Sequence, residues 1–259
     1  MYKTILSESS EGILTITLNR PDVYNAFNVE MLMELQDAFT QPAEDESVRC
    51  VVLTGSGKAF CSGQDLKDFN DKKLTFKEAL EQRYNPLIKK ISYLPKPVIC
   101  AINGVAAGAG LSLALACDYR IAVESATLIE VFINVGLVPD SGSSFFLPRI
   151  IGYARAFEMC VNADKVTANE AKKLGLVNKV VSTQAMLEKS SRIVATGFAA
   201  KPTAAVGMIK NLMRKSFDSD LEGILSLEAE FQQKAGKTDD FKEGISAFLE
   251  KRKSQFKGK

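Results

Sequence analysis

Residues 98–117 read VICAINGVAAGAGLSLALAC. The first five are a short apolar run, the form a fully buried strand takes. Asn103-Gly104-Val105-Ala106-Ala107-Gly108-Ala109-Gly110-Leu111 follows as a loop of small residues, and LSLALAC continues from it as an apolar segment. CVVLTG at 50–55 repeats the arrangement and opens into Gly57-Lys58-Ala59-Phe60-Cys61-Ser62-Gly63-Gln64-Asp65-Leu66. In an open parallel sheet, loops at the carboxyl ends of strands are where ligands bind. Small residues there let a ligand reach backbone N–H groups. Neither loop has the GxGxxG or GxxxxGK[ST] spacing of a phosphate cradle.

Working outward, ILTITL at 13–18 alternates Leu14, Ile16 and Leu18 on one face and predicts a strand. Asn28 is placed to cap a helix that buries Leu32, Leu35 and Phe39. Residues 75–94 have helical spacing at Phe76, Leu80, Leu87, Ile88 and Ile91. Pro86 inside that pattern predicts a kink or a division, and Pro95 and Pro97 end it. The strand–helix–strand order predicts parallel strands joined by right-handed crossovers. Beyond about residue 140 the expectation is helical, over 143–161, 167–174, 183–199, 202–216, 219–235 and 240–254, with LVNKVV at 176–181 as the exception. The predicted organisation is an α/β core over 1–200 and a helical region over 201–259.

Composition narrows the function. The chain has 259 residues, 46% hydrophobic and 25% charged, which excludes disordered, collagen-like and disulfide-stapled classes. A formal net charge of +2 gives no polyanion signature, so no nucleic-acid partner is expected. No run reaches the ~18 apolar residues of a membrane span. The opening MYKTILSESS lacks a signal peptide's apolar centre, so a cytoplasmic location is expected. Five cysteines form no CxxC pair and read as reduced core residues. There is no histidine, which excludes Ser-His-Asp and Cys-His mechanisms and imidazole-based zinc sites. A proton carrier must therefore be a carboxylate, Lys, Tyr or Cys. The basic tail KRKSQFKGK at 251–259 reads either as a solvated helix end or as a contact for a phosphate-bearing ligand.

Several segments in order resemble the crotonase, or enoyl-CoA hydratase/isomerase, superfamily. They are LNRPDVYNAFN at 18–28, GKAFCSGQDLK at 57–67, AINGVAAGAG at 101–110, ACDYRIA at 116–122, VGLVPDSG at 135–142 and SAFLEKRKSQF at 246–256. The resemblance implies an α/β fold, a β–β–α superhelix with a C-terminal helical trimerisation region. It also implies a homo-oligomer (trimer or dimer of trimers) acting on acyl-CoA. No metal or redox cofactor is expected, coenzyme A being part of the substrate.

The family binds the thioester oxygen with two backbone N–H groups, which correspond here to Gln64 and Ala109. Two fixed donors facing an oxygen that gains negative charge stabilise it by ~3–4 kcal/mol each. Many members have Gly where this chain has Ala109, and Ala fits only if φ is negative. The implied CoA contacts are Val23, Tyr24, Ala59, Gln64, Asp65, Leu66 and Ala109, with Phe248 and Lys251 reaching a neighbouring subunit. Phe248 reads equally as a core helix residue.

Family hydratases use two glutamates, and Ser112 and Phe132 stand in their places. Ser112 is expected to have little part in the chemistry. Glu130 is two residues out of register; on a strand it would share the side of Phe132. The remaining acid is Asp140 in Gly136-Leu137-Val138-Pro139-Asp140-Ser141-Gly142, where family isomerases carry theirs. Asp after Pro and before Ser-Gly-Ser also suits a plain turn or helix cap. A lone Asp in this setting most resembles the ring-1,2-epoxyphenylacetyl-CoA isomerases of phenylacetate breakdown, which also shift enoyl-CoA double bonds. Phe132, Leu137, Phe145 and Phe146 would favour an apolar or aromatic acyl group if they lined the pocket. The alternatives are a hydratase using Asp140 or Glu130, and an inactive acyl-CoA-binding homologue. A 4-chlorobenzoyl-CoA dehalogenase pairs its Asp with a histidine, which this chain lacks.

Overall fold

The computed structural model describes residues 2–65, 67 and 74–259. Leu66 lies outside the described residues.

A hairpin opens the fold: β1 (Ile5–Ser10) and β2 (Ile13–Leu18) are antiparallel, joined by Glu11 and Gly12 at φ 53° and 76°. Two consecutive left-handed residues match the twist of a two-residue hairpin loop. From β3 (Cys50–Gly55) the chain repeats one unit: a strand, a short strand, then helix. β3 is followed by β4 (Ala59–Cys61), β5 (Val98–Ile102) by β6 (Val105–Ala107), and β7 (Tyr119–Val123) by β8 (Thr127–Ile129). The first strand of each unit joins one sheet and the second joins another. The larger sheet runs β1-β2-β3-β5-β7-β10, with β10 at Lys179–Val181, and is parallel from β2 onward. The smaller runs β4-β6-β8-β9, with β9 at Val166–Thr167. The expected parallel crossovers are present; the short strands β4 and β6 sit inside segments that sequence alone showed only as glycine loops.

β5 is buried along its whole length, as its unbroken apolar run requires. Asn28 caps the Val29–Ala38 helix by accepting from the Met31 N–H, and Leu32, Leu35 and Phe39 are buried. The Gln184–Ala199 helix lies across the larger sheet, against β2, β3, β5, β7 and β10.

Three predicted helices differ in detail. The segment around Pro86 is divided, as expected, but without a break in the helix. Phe76–Ala79 and Asn85–Tyr93 are joined by a π-helical turn, Leu80–Tyr84, in which the Asn85 N–H reaches back five residues to the Leu80 carbonyl. That widened turn accommodates a proline that supplies no N–H. The helix predicted over 143–161 is two, Ser143–Ile151 and Tyr153–Asn162, because Gly152 at φ 81° breaks the ladder. The one predicted over 240–254 spans Asp239–Leu249. Lys251 turns left-handed at φ 54°, and the Arg252 N–H bonds the Ala247 carbonyl, which ends the helix.

Three helices follow residue 201: Thr203–Lys215, Leu221–Ala235 and Asp239–Leu249. Lys210 pairs with Asp118 at 2.7 Å and docks the first on the core. The tail folds back, and buried Asp240 accepts the Lys257 and Gly258 N–H groups. Arg49 donates to the Phe256 and Lys201 carbonyls and to Thr203 Oγ1. No helix among the described residues is long and apolar enough to cross a membrane.

Gly104, between β5 and β6, has the least room of the glycines. A Cβ there would lie 2.1 Å from the Lys58 carbonyl oxygen, a backbone atom held in place by its neighbours. Gly104→Ala is expected to destabilise by ~1–3 kcal/mol, the usual cost of overpacking. The measurement is a urea titration with a lower midpoint and an unchanged slope; an unmoved midpoint would contradict the close approach.

Candidate active site

Val23, Tyr24, Ala59, Gln64, Asp65 and Ala109 come together at the carboxyl ends of β3 and β5. Asn25 organises the first of them. Its buried amide donates to the Ser56 and Ala59 carbonyls, and its Oδ1 accepts the Arg20 N–H. Tyr24 and Asn25 are both left-handed, at φ 53° and 56°, which turns the exposed Tyr24 ring outward. Backbone bonds tie this turn to the next segment, since the Ser62 N–H reaches the Tyr24 carbonyl. The Ala59 carbonyl is committed to the fold, accepting from both Asn25 and Asn103.

Gln64 forms a parallel bridge with Phe27. The bonds of that bridge run from the Phe27 N–H to the Gly63 carbonyl, and from the Asp65 N–H to the Phe27 carbonyl. In this pattern the Gln64 N–H points away from Phe27. Gly63 brings the other side close: a Cβ there would lie 2.9 Å from the Ala107 oxygen and 3.6 Å from the Ala109 nitrogen. Ala109 begins the Ala109–Leu115 helix, so its N–H has no intrahelical partner. Gly108 takes the positive φ of this turn, at 51°, and leaves Ala109 in a conformation alanine accepts. Asp65 is held by Arg20 at 3.0 Å. Burial works to raise its carboxyl, but Arg20 and the Lys67 N–H together hold it below the usual range.

Asp140 opens a tight turn. Ser141 and Gly142 are left-handed at φ 51° and 83°, and the Ser143 N–H closes the turn on the Asp140 carbonyl at 3.0 Å. The Ser112 hydroxyl, fully buried, donates to that same carbonyl at 3.0 Å and shares its proton with the Gly108 carbonyl at 3.2 Å. Ser112 therefore ties the acid's backbone to the helix that Ala109 begins, a role its expected lack of chemistry did not suggest. The Asp140 side chain does not cap the Ser143–Ile151 helix, whose N-cap is Gly142 with no side-chain bond. Its carboxyl accepts only from Ser141 Oγ, at 2.8 Å, among the described residues. Burial pushes this carboxyl above the ordinary Asp range, and the Ser141 hydroxyl pulls it partly back.

Glu130 and Phe132 do not share a strand face. β8 ends at Ile129, and Val131–Val135 is a 3₁₀ turn that sends the two side chains apart. Phe132 lies against Gly108. Glu130 is fully buried and accepts from Ser143 Oγ at 2.6 Å, while its Oε2 has no partner. Burial, and secondarily the charge of Asp140, raise it to about 7 against the pull of Ser143. Nothing in the sequence links Glu130 with Ser143, thirteen positions apart; the Ser-Gly-Ser run signalled the turn but not its partners.

Phe145 and Phe146 line a cavity of about 280 Å³ together with Gly142 and Ile88, and the charged Lys89, Arg214 and Asp218 also border it. The two phenylalanines also border an apolar groove of about 570 Å³ beside the Thr203–Lys215 helix. Leu137 is exposed and Phe132 is packed elsewhere, so neither lines these two spaces. Phe248 stands apart from the cluster and is 81% exposed, so it is not a core residue. Lys251 is also exposed, on the turn that ends the last helix. The tail beyond them is anchored by Arg49, at the opposite end of β3 from the Gly57–Asp65 segment. All five cysteines are free thiols, four of them buried. Among the described residues no group of three or more His, Cys, Asp or Glu is placed to hold a metal ion.

A family model described as enoyl-CoA hydratase/isomerase matches residues 8–259. The chain is 41% identical over 263 residues to 1,2-epoxyphenylacetyl-CoA isomerase of Escherichia coli (strain K12), covering 100% of both chains. It is 36% identical over 258 residues to crotonyl-CoA hydratase of Syntrophomonas wolfei subsp. wolfei, covering 98% of each. The crystal structure of an enoyl-CoA hydratase from Bacillus anthracis has a TM-score of 0.93 at 35% identity, covering 99% of this chain and 100% of that one. With the family model spanning the two sheets, the Gln64–Ala109 junction and the Asp140 turn, the chain belongs to the enoyl-CoA hydratase/isomerase family.

Proposed function

We propose that the protein is an acyl-CoA isomerase that shifts a double bond with one carboxylate. The observation that carries this reading is the Asp140 carboxyl, half-buried and held by its own turn on the helix that begins at Ala109. Ionised Asp140 takes a proton from C2 of a 3-enoyl-CoA, and the electron pair moves toward the thioester oxygen to give a dienolate. The Gln64 and Ala109 N–H groups donate to that oxygen. Asp140 then returns the proton at C4, the C2–C3 double bond forms and the carbonyl is restored. No water is consumed, so no second acid is required. The likeness to an epoxyphenylacetyl-CoA isomerase supports an apolar or aryl acyl group, and ring-1,2-epoxyphenylacetyl-CoA is a substrate to test first. The CoA moiety would lie along Val23, Tyr24 and Asp65, with Phe248 and Lys251 serving a neighbouring subunit.

A hydratase using Asp140 with Glu130 is the second reading. The similarity to a crotonyl-CoA hydratase favours it. Crotonyl-CoA hydration measured beside 3-hexenoyl-CoA isomerisation separates the two. An inactive acyl-CoA-binding protein would show neither activity. The reading includes a homo-oligomer built on the region after residue 201, because Ile209, Met213, Phe217, Leu221 and Leu225 leave apolar side chains exposed there. It also places the protein in the cytoplasm, where free thiols persist.

Asp140→Asn can keep the Ser141 bond and the turn but cannot accept a proton. Isomerisation should fall ~10²–10⁴-fold with acyl-CoA affinity retained; a rate within about threefold of the parent would falsify the mechanism. As pH falls, activity should be lost through a value above the ordinary Asp range, since the base must be ionised. Ser112→Ala should cost ~1 kcal/mol of stability and lower kcat more than it raises KM, because it frees the acid's backbone; unchanged melting and kcat would remove that role. Sedimentation at micromolar concentration should show an oligomer, and a monomer alone would rule out the assembly.

A further inference from the structure

Glu130 is not used by the mechanism above, yet it is fully buried with one carboxyl oxygen unpartnered. A hydrogen-bonding site left empty in the interior costs stability, and a group that keeps one calls for a role. Its surroundings supply one. Ser143 joins the two acids: its N–H closes the Asp140 turn at 3.0 Å, and its hydroxyl donates to Glu130 Oε1 at 2.6 Å. The titratable groups facing Glu130 among the described residues are Asp140 from that turn and Cys160 from the Tyr153–Asn162 helix. Burial, and then the charge of Glu130, push the Cys160 thiol up to about 11, so it stays neutral through the working range.

We propose that Glu130 is a positioning residue for Asp140, holding its turn through Ser143 and setting by its own charge how strongly Asp140 takes up a proton. This rests on the reading of Asp140 as the base. When Glu130 is neutral, Asp140 feels only its burial and the Ser141 hydroxyl. When Glu130 ionises, a second negative charge lies behind the turn and makes Asp140 the stronger base. The charge on one carboxyl bears on the proton affinity of the other. A purely structural Glu130 would act through its hydrogen bond alone, and glutamine would replace it at every pH.

The test compares the parent enzyme, Glu130→Gln and Ser143→Ala in 3-hexenoyl-CoA isomerisation across pH. The parent kcat should rise a second time near pH 7, where Glu130 ionises. Glu130→Gln should match the parent below that step and lack the rise above it. The deficit should be small, a fraction of a tenfold change, because only part of a change in base strength appears in the rate. KM should be unchanged. Ser143→Ala removes the bond that favours ionised Glu130 and should move the rise to higher pH. A parent-to-Glu130→Gln ratio that is the same at every pH overturns the proposal, as does a Ser143→Ala profile superimposed on the parent's. If Glu130→Gln does not fold, the carboxyl ¹³C resonance of Glu130 is followed in the parent and in Asp140→Asn. Its titration should fall to lower pH once the Asp140 charge is removed, and an unmoved titration overturns the coupling. An active Asp140→Asn enzyme would instead overturn the base assignment, whatever the Glu130 titration shows.

Discussion

Two backbones approach each other more closely than side chains normally permit, and the site depends on that approach. Gly63 lies against the Ala107 carbonyl and the Ala109 nitrogen, while Gly104 lies against the Lys58 carbonyl. The smaller sheet exists to make these contacts. β4 and β6 are three residues each, too short to carry much stability alone, but they fix where two turns meet. Any side chain at Gly104 would separate those turns before it disturbed the apolar core beneath them. Gly104 and Gly110 are therefore requirements of geometry, and the buried β5 strand supplies the rigid support.

The same helix that begins at this junction also locates the acid. Ser112 stands one turn into it and bonds the Asp140 carbonyl, and the Ser143 N–H fills that carbonyl's second acceptor position. Both lone pairs of one backbone oxygen are thus used to place one carboxyl. The left-handed Ser141 costs of order 1–2 kcal/mol, and the hydrogen bonds of the turn, at ~1 kcal/mol each, offset it. The carboxyl is placed through its own backbone, which the Ser112 hydroxyl and the Ser143 N–H hold. This placement keeps the carboxyl short of hydrogen bonds, so burial can raise its proton affinity.

Much of this was legible in the sequence, for physical reasons. Apolar runs such as VICAI have one stable destination, the inside of a parallel sheet, and Asn28 announces its helix because its side chain can satisfy an orphan N–H. The positions of Gln64, Ala109 and Asp140 came from ordered motifs. What stayed hidden depends on distance in space. Ser112 looked inert because its partner is a carbonyl twenty-eight residues on. Glu130, two residues off the family's glutamate position, was expected on the side of Phe132 if the segment were a strand, whereas the chain turns 3₁₀ at Val131. The end of the last helix was missed because the left-handed turn there falls on a lysine, Lys251, not on a glycine.

Arg49 has a bearing on how the molecule comes into being. The β–β–α units add strands next to those already formed, so the sheets can assemble from the N-terminus during synthesis. Arg49 cannot share in that order. Its three acceptors are the Lys201 carbonyl, the Thr203 hydroxyl and the Phe256 carbonyl, and the last is 207 residues away along the chain. Until those residues are made, the guanidinium at the head of β3 remains in water. Closure of the tail upon it therefore follows the sheets, and it links the docking of the Asp239–Leu249 helix and the residues after it to the strand that leads into the Gly57–Asp65 segment.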